Sequence, residues 1–220
     1  MKRFSDVLGL LLVVAGFAVV GLKYPGLPDP MPSHWNAAGQ VNGWMPKFWG
    51  AFLFPIIMAA LWLLFLALPR ISPRGFEMEP FLRAWGVLKV TILGLMLFIG
   101  ILVLRAATNG GALSQPAVFC GMGILFVVMG NLLGKVTRNF FVGIRTPWTL
   151  ANEEVWYRTH RLAGKLFVAA GLVVVATSFL GMHMWPMVVS LVVAGLVPVV
   201  YSYVIYRRLE GLPGDARPAS

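Results

Sequence analysis

The sequence predicts an all-α integral membrane protein, a bundle of about six transmembrane helices with both termini in the cytoplasm. Three observations lead to this prediction: the composition, the spacing of the apolar runs and the one-sided distribution of the cations. Of the 220 residues, 59% are hydrophobic and 12% are charged, and the mean hydropathy is +0.80. A soluble domain of this composition would lack an adequate polar surface, so we expect the chain to fold in lipid.

The apolar residues form six runs, each close to the roughly 20 residues that cross a 30 Å hydrocarbon layer as a helix. Charges lie almost wholly between the runs, as expected when a charge at mid-bilayer costs about 3 kcal/mol or more. The predicted spans cover residues 5–23, 49–68, 84–105, 116–134, 164–181 and 187–206. No small-residue cleavage site follows the first run, so we interpret it as an uncleaved helix and not as a signal peptide.

The cations set the predicted orientation. If the spans are six, most of them fall on one side of the membrane: Lys2, Arg3, Arg70, Arg74, Arg83, Lys135, Arg138, Arg145, Arg158, Arg161, Lys165, Arg207, Arg208 and Arg217. The other side receives Lys23, Lys47 and Arg105. The positive-inside rule therefore places both termini in the cytoplasm. The net charge of +10 then reflects topology and contact with anionic lipid, and no direct binding to nucleic acid is expected.

Few features inside the spans indicate function. Lys89 and Arg105 lie near the ends of the third span and are expected to snorkel to the surface. A small transporter stays open as an alternative, although the spans lack the mid-membrane charges that line a polar path. Several glycines are expected to allow close helix packing: Gly94, Gly100, Gly121, Gly123, Gly130 and Gly134.

The outer loop, residues 24–48, is predicted to fold back on itself. Four prolines between residues 25 and 32 favour a stiff extended arm. Asn36 and Gly39 tolerate positive φ, so the chain should reverse there and bring Trp35 and Trp44 to the membrane interface. Tryptophan at such a position is ordinarily a membrane anchor.

Anchoring does not require the polar side chains of the outer loop. His34, Asn36 and Lys47 would offer donors and acceptors to a polar ligand at the outer surface, which predicts a recognition site. Metal binding is a poorer interpretation, because His34 has only Asp29 and Asn36 as local ligands. No metal and no cofactor are expected.

The inner loop, residues 135–163, contains two helix-start signatures. Thr146 precedes Pro147, and Asn152 precedes two glutamates, so a helix should begin in this interval and run into the fifth span. One of its faces carries a charged, solvated stripe of Glu154, Arg158, Arg161 and Lys165. The opposing stripe is expected to face the bundle and consists of Glu153, Trp156, His160 and Gly164.

Buried polar groups on that opposing stripe would need partners. Arg145 is the expected partner of Glu153, and His160 is expected to bond to a carbonyl or to titrate near physiological pH. Two interpretations stay open. The cluster is either a structural clamp or the site of an enzyme acting on a lipid or peptide at the cytoplasmic face, with Glu153 or His160 as general base and Arg145 as anion holder.

The two loops, in this order, resemble the SdpI family of bacterial membrane immunity proteins. The outer element Pro32-Ser-His34-Trp-Asn36-Ala-Ala-Gly39, continuing to Trp44 and Lys47, resembles the DUF1648 module of that family, here placed in residues 1–68 of a single domain, 1–220. The second signature, within residues 116–206, is matched by Gly143, Arg145, Thr146, Pro147, Trp148, Asn152, Glu153, Trp156, Thr159, His160 and Gly164.

This resemblance implies a six-helix protein of the bacterial plasma membrane that is not an enzyme. The family confers immunity to a secreted peptide toxin of the SdpC type. In its best-known system it also sequesters a cytoplasmic transcriptional repressor at the membrane when toxin is present. A peptide toxin and a repressor are therefore the expected partners besides the lipid bilayer.

Overall fold

Long helices form in the six segments that the apolar runs predict. The computed structural model describes residues 2–181 and 184–210. It contains α1 (Lys2–Lys23), α2 (Lys47–Ala67), α3 (Leu82–Thr108), α4 (Gln115–Leu133), α5 (Pro147–Ala151), α6 (Glu153–Phe179) and α7 (Met184–Glu210). All of these except the short α5 are long and apolar enough to cross a membrane, which confirms the predicted all-α membrane fold. Arg217, one of the predicted cytoplasmic cations, lies outside the described residues.

The helices pack as two groups of three. Helices α1, α2 and α3 contact one another, α6 packs against both α4 and α7, and α3 meets α4 between the groups. One cluster of buried apolar side chains, which includes Met58, Phe65, Trp85 and Leu93, continues to Val136 and Trp156 of the inner loop and α6. The first group of helices therefore shares its core with the segment that carries the second predicted signature.

Glycines hold α4 and α6 unusually close together. A Cβ atom added at Gly130 would lie 2.6 Å from the carbonyl oxygen of Gly164, and one added at Gly171 would lie 2.5 Å from that of Gly123. These distances are shorter than any real Cβ contact, so both crossing points require glycine. In lipid the hydrophobic effect does not hold helices together, so helix association depends on close packing, which small residues allow. The predicted packing role is confirmed for Gly123 and Gly130.

Lys89 does not snorkel, so that prediction is wrong. Its side chain is only 2% exposed, and its ammonium group pairs with the carboxylate of Asp6 on α1. Trp62 of α2 donates its indole N–H to the Asp6 carbonyl oxygen over 3.0 Å and fixes the same point. A charge partner on the adjacent helix satisfies the ammonium inside the bundle, and reaching the surface is then unnecessary.

The outer loop contains the one sheet of the described ranges 2–181 and 184–210. Strands β1 (Met31–Trp35) and β2 (Val41–Met45) pair antiparallel, with Met31 opposite Met45 and Trp35 opposite Val41. The proline-rich arm is less extended than predicted, because a 3₁₀ helix at Tyr24–Gly26 continues directly from α1. The predicted reversal of the chain between His34 and Trp44 is confirmed.

Candidate functional site

The outer hairpin turns at Asn36. Its side-chain oxygen accepts the backbone N–H groups of Ala38 and Gln40, each over 3.0 Å, and its own N–H donates to the Gln40 carbonyl over 2.9 Å. Gly39 adopts a φ of +77°, a conformation that glycine takes without strain. Asn36 and Gly39 therefore shape the turn, and the Asn36 oxygen is already engaged within the hairpin.

Three further contacts fix the hairpin to the helices. The Trp35 indole N–H donates to the Gly111 carbonyl over 2.7 Å, and the Gln115 amide donates to the Ala37 carbonyl over 3.1 Å. The Lys47 backbone N–H, at the start of α2, donates to the Asp29 carboxylate over 3.2 Å. The role of Gln115 was missed from the sequence, because it lies 78 residues beyond its partner and no local motif surrounds it.

The outward groups of the hairpin are His34, Asn42 and Trp44, which we name the hairpin patch. His34 Nδ1 lies 2.5 Å from the Asn42 side-chain oxygen. An amide oxygen only accepts, so Nδ1 carries the hydrogen and Nε2 remains the other functional atom of the ring. Trp44 is 57% exposed and is followed by two further exposed aromatics, Phe48 and Trp49. The hairpin patch thus combines an imidazole, an amide and an indole at one surface.

Lys47, predicted to belong to this recognition surface, faces a different group. Its ammonium lies 4.8 Å from the centre of the Tyr24 ring, a cation–π contact. Together with the hydrogen bond from its backbone N–H to Asp29, this contact makes Lys47 part of the junction between α1, the hairpin and α2.

The inner loop is built around two buried polar side chains, His160 and Asn139. His160 Nε2 accepts the Ile144 backbone N–H over 2.9 Å, and Nδ1 lies 2.8 Å from the Trp156 carbonyl oxygen. A backbone N–H only donates, so the imidazole is the neutral tautomer with its hydrogen on Nδ1. The ring stacks on the Trp156 indole with 3.9 Å between centroids. The predicted bond from His160 to a carbonyl is confirmed.

Glycine at position 143 is required by the His160 contact. Gly143 has a φ of +117°, and an added Cβ would collide with His160 Nε2. The Trp156 indole N–H in turn donates to the Val136 carbonyl over 2.8 Å. Trp156 and His160 thus hold Val136 and Ile144, near the two ends of the segment between α4 and α5, against α6.

Asn139 uses every hydrogen-bonding group of its amide. Its nitrogen donates to the carbonyls of Thr137 and Val142, each over 2.9 Å, and its oxygen accepts the N–H groups of Phe141 and Val142 over 2.8 and 2.7 Å. Sequence analysis missed it, although an asparagine just before a glycine-containing turn is a fair sign of such a role.

A second set of contacts ties the inner loop to α7. Thr146 and Thr149 form a reciprocal capping box around Pro147, and the Thr146 hydroxyl lies 3.0 Å from that of Ser202. The Trp148 ring lies 5.0 Å from the Tyr203 ring. The sequence predicts a helix start at Thr146, and this start is confirmed.

The second predicted helix start is confirmed at Asn152. Its side-chain oxygen accepts the N–H groups of Glu154 and Val155, while its nitrogen donates to Glu210 at the end of α7 over 2.5 Å. Asn152 therefore begins α6 and also joins it to the last turn of α7.

The predicted pairing of Arg145 with Glu153 is wrong. Arg145 is exposed and donates to the Phe140 carbonyl over 2.6 Å. The Glu153 side chain is 79% exposed and lies 3.6 Å from Arg138. Glu153 does not face the bundle, because it is the first residue of α6, where the helix N-terminus favours a solvated anion.

The remaining members of the two stripes lie as predicted. Glu154, Arg158, Arg161 and Lys165 are exposed, with 2.6 Å between Arg158 Nε and the Glu154 carboxylate. On the inward stripe, Gly164 forms the crossing point with α4. Thr159 is fully buried, and within the described part of the chain its hydroxyl has no hydrogen-bond partner.

An apolar cavity of about 140 Å³ lies beside the inner loop. Gly143 and Ile144 form one wall, and Trp85 of α3 and Met129 of α4 line the other sides. Arg145, Glu153 and His160 do not line it. Across residues 2–181 and 184–210, no group of three or more His, Cys, Asp or Glu side chains is placed to hold a metal ion.

Comparison with known proteins finds a family match for the segment around each loop. The SdpI/YfhL protein family matches residues 135–202, and the domain of unknown function DUF1648 matches residues 11–59. The protein named Immunity protein SdpI, from Bacillus subtilis (strain 168), is 27% identical over 214 residues, which cover 96% of this chain and 99% of that protein. The chain is thus similar to the SdpI family in both loops and to this immunity protein over nearly its whole length. The chain is a multi-pass bacterial membrane protein, and no solved structure matches it.

Proposed function

We propose that this chain is a member of the SdpI family and a membrane immunity protein that protects its cell against a secreted peptide toxin of the SdpC type. The observation that supports this most directly is the similarity to Immunity protein SdpI over 96% of the chain, which includes both loops. In this proposal the hairpin patch meets the toxin, and the protein itself performs no chemical reaction.

The rigidity of the hairpin favours a recognition role for its patch. Trp35, Asn36 and Gln115 are all engaged in hydrogen bonds that hold the hairpin, which lowers the cost of ordering its backbone when His34, Asn42 and Trp44 bind a partner. Tryptophan is prominent among residues that dominate binding energy at protein interfaces. A peptide that attacks the membrane must cross the interface where this indole lies.

A second part of the proposal concerns signalling to a cytoplasmic repressor. Transmission across the membrane would need two packings of the bundle with different affinity for the toxin. The cavity beside Gly143 and Ile144 lies where α3, α4 and the inner loop meet, so a change in helix packing there would move the loop. We therefore propose the inner loop as the segment that carries any signal.

The enzymatic alternative gains no support from the described residues. Glu153 and Arg145 face different partners, and both ring nitrogens of His160 are occupied by backbone groups. A general base must reach the proton that it removes, and a neutral imidazole enclosed in this way does not.

The test is protection of toxin-sensitive bacteria that express the chain, challenged with an SdpC-type peptide. Wild type is expected to restore growth, and Trp44→Ala to lose most of the protection. Trp185→Ala is the matched control, because Trp185 is 74% exposed on the first turn of α7, outside the hairpin patch. Membrane levels of the variants are compared by immunoblot. Unchanged killing of cells with wild type would refute immunity to this toxin, and equal loss in both variants would refute recognition by the hairpin patch.

A further inference from the structure

A groove runs between α1 and α3 on the side of the helix bundle. Its volume is about 600 Å³, and it is separate from the hairpin patch and the inner loop. Phe4 and Leu8 of α1 form one wall, and Val87 and Val90 of α3 form the other. Arg83, in the first turn of α3, lies at one end. We name this feature the α1–α3 groove.

Gly86 creates the floor of the α1–α3 groove. Its missing side chain lets α1 approach, since an added Cβ would lie 2.8 Å from the Ser5 hydroxyl. Arg83, Gly86, Val87 and Val90 follow the spacing i, i+3, i+4 and i+7, which puts them on one helix face. Along α3, this helix face therefore changes from a cation at Arg83 to apolar side chains at Val87 and Val90.

Among the described residues, no carboxylate pairs with the cationic end of the groove. Arg83 is exposed and makes no ion pair with any residue of 2–181 or 184–210. Contacts of Ser5 with Gly86 and of Asp6 with Lys89 show that α1 and α3 run parallel, so exposed Arg3 lies level with the first turn of α3. Asp6 is already paired with Lys89 and does not neutralise these arginines.

The dimensions suit one lipid chain. From Arg83 to Thr91 the helix rises about 12 Å at 1.5 Å per residue, close to the depth of one leaflet, about half of a 30 Å hydrocarbon layer. An arginine at the membrane surface binds phosphate through its planar fork of N–H donors. The groove therefore presents an anion-binding group at one end and mostly apolar walls along the rest of its length. A phospholipid carries its phosphate and its acyl chain in the same order.

We propose that the α1–α3 groove binds an anionic phospholipid, with its phosphate on Arg83 and one acyl chain along Gly86, Val87 and Val90. Because no carboxylate of the described residues pairs with Arg83, its charge favours a headgroup with net negative charge over a zwitterionic one. This lipid site is independent of the proposed immunity function. It lies at the end of the bundle where α1 and α3 begin.

Native mass spectrometry of the full-length protein in detergent tests the proposal, with equimolar dioleoyl phosphatidylglycerol and dioleoyl phosphatidylcholine. We expect wild type to retain the anionic lipid about fivefold better, the effect of one cation near an anionic lipid. Arg83→Gln should abolish the preference. Arg74→Gln is the matched control, because Arg74 is an exposed arginine of the loop before α3 and does not line the groove.

A second variant tests the acyl-chain position without altering charge. Val87→Trp would fill the groove and reduce retention of both lipids, whereas Val192→Trp on α7 would not, although Val87 and Val192 are each 49% exposed. Equal retention of both lipids by wild type would overturn the proposal. So would an equal loss of preference in Arg83→Gln and Arg74→Gln, or full retention by Val87→Trp.

Discussion

Release of the inner loop is the expected result of replacing His160 by alanine. The imidazole accepts the Ile144 N–H, bonds to the Trp156 carbonyl and stacks on the Trp156 ring. Leaving the Ile144 N–H unsatisfied costs about 1–3 kcal/mol. Loss of the stacking adds about 0.5–1.5 kcal/mol. The Trp156 carbonyl keeps its bond within the helix, so we expect His160→Ala to lower the free energy of unfolding by about 2–4 kcal/mol.

Two measurements on purified protein in detergent check this expectation. Denaturant unfolding gives the free energy, and trypsin cleavage after exposed Arg145 reports local release of the loop, which should accelerate. His34→Ala is the control, because that histidine is exposed in the outer hairpin and its loss should change stability by less than about 0.5 kcal/mol. If His160→Ala matches His34→Ala in stability and in the rate of cleavage, the clamp has been assigned to the wrong residue.

Two further predictions concern the bundle. Lys89→Met alone should destabilise the protein by about 3–5 kcal/mol, because it leaves the Asp6 carboxylate unpaired. Combining Lys89→Met with Asp6→Asn should recover most of this loss. Simple additivity of the two substitutions in a double-mutant cycle would contradict the ion pair. In a background lacking Cys120, a membrane-impermeant thiol reagent should label Ala38→Cys in intact cells and spare Ala151→Cys, both of which are exposed. The reverse labelling pattern would invert the predicted topology.

The outer hairpin was partly predictable because its turn is local. Asn36 and Gly39 act within a few residues of themselves, and their backbone preferences are visible in the sequence. The roles of Trp35 and Lys47 could not be predicted from the sequence. An indole or an ammonium group at the membrane interface suits an anchor, a ligand contact or a structural bond equally well. Gly111 and Tyr24, which they contact, come from the turn before α4 and the 3₁₀ helix after α1.

The inner loop shows the same division. The helix starts at Thr146 and Asn152, and the buried positions of Trp156 and His160, follow from capping chemistry and helical period. The partner of Glu153 does not follow from capping chemistry or from helical period. Opposite charge alone suggested Arg145, whereas Arg138 is the arginine that approaches the first turn of α6.

The six apolar helices follow from the sequence, because a backbone in lipid must satisfy its own hydrogen bonds within runs of about 20 apolar residues. The similarity of both loops to the SdpI family is likewise visible in their residues. The tertiary structure alone decided which polar groups meet. The bond from Trp35 to Gly111 spans 76 residues, and that between Lys89 and Asp6 spans 83. Such contacts depend on the rotation and depth of helices relative to one another, and these are set by packing at glycine crossings and not by any local pattern.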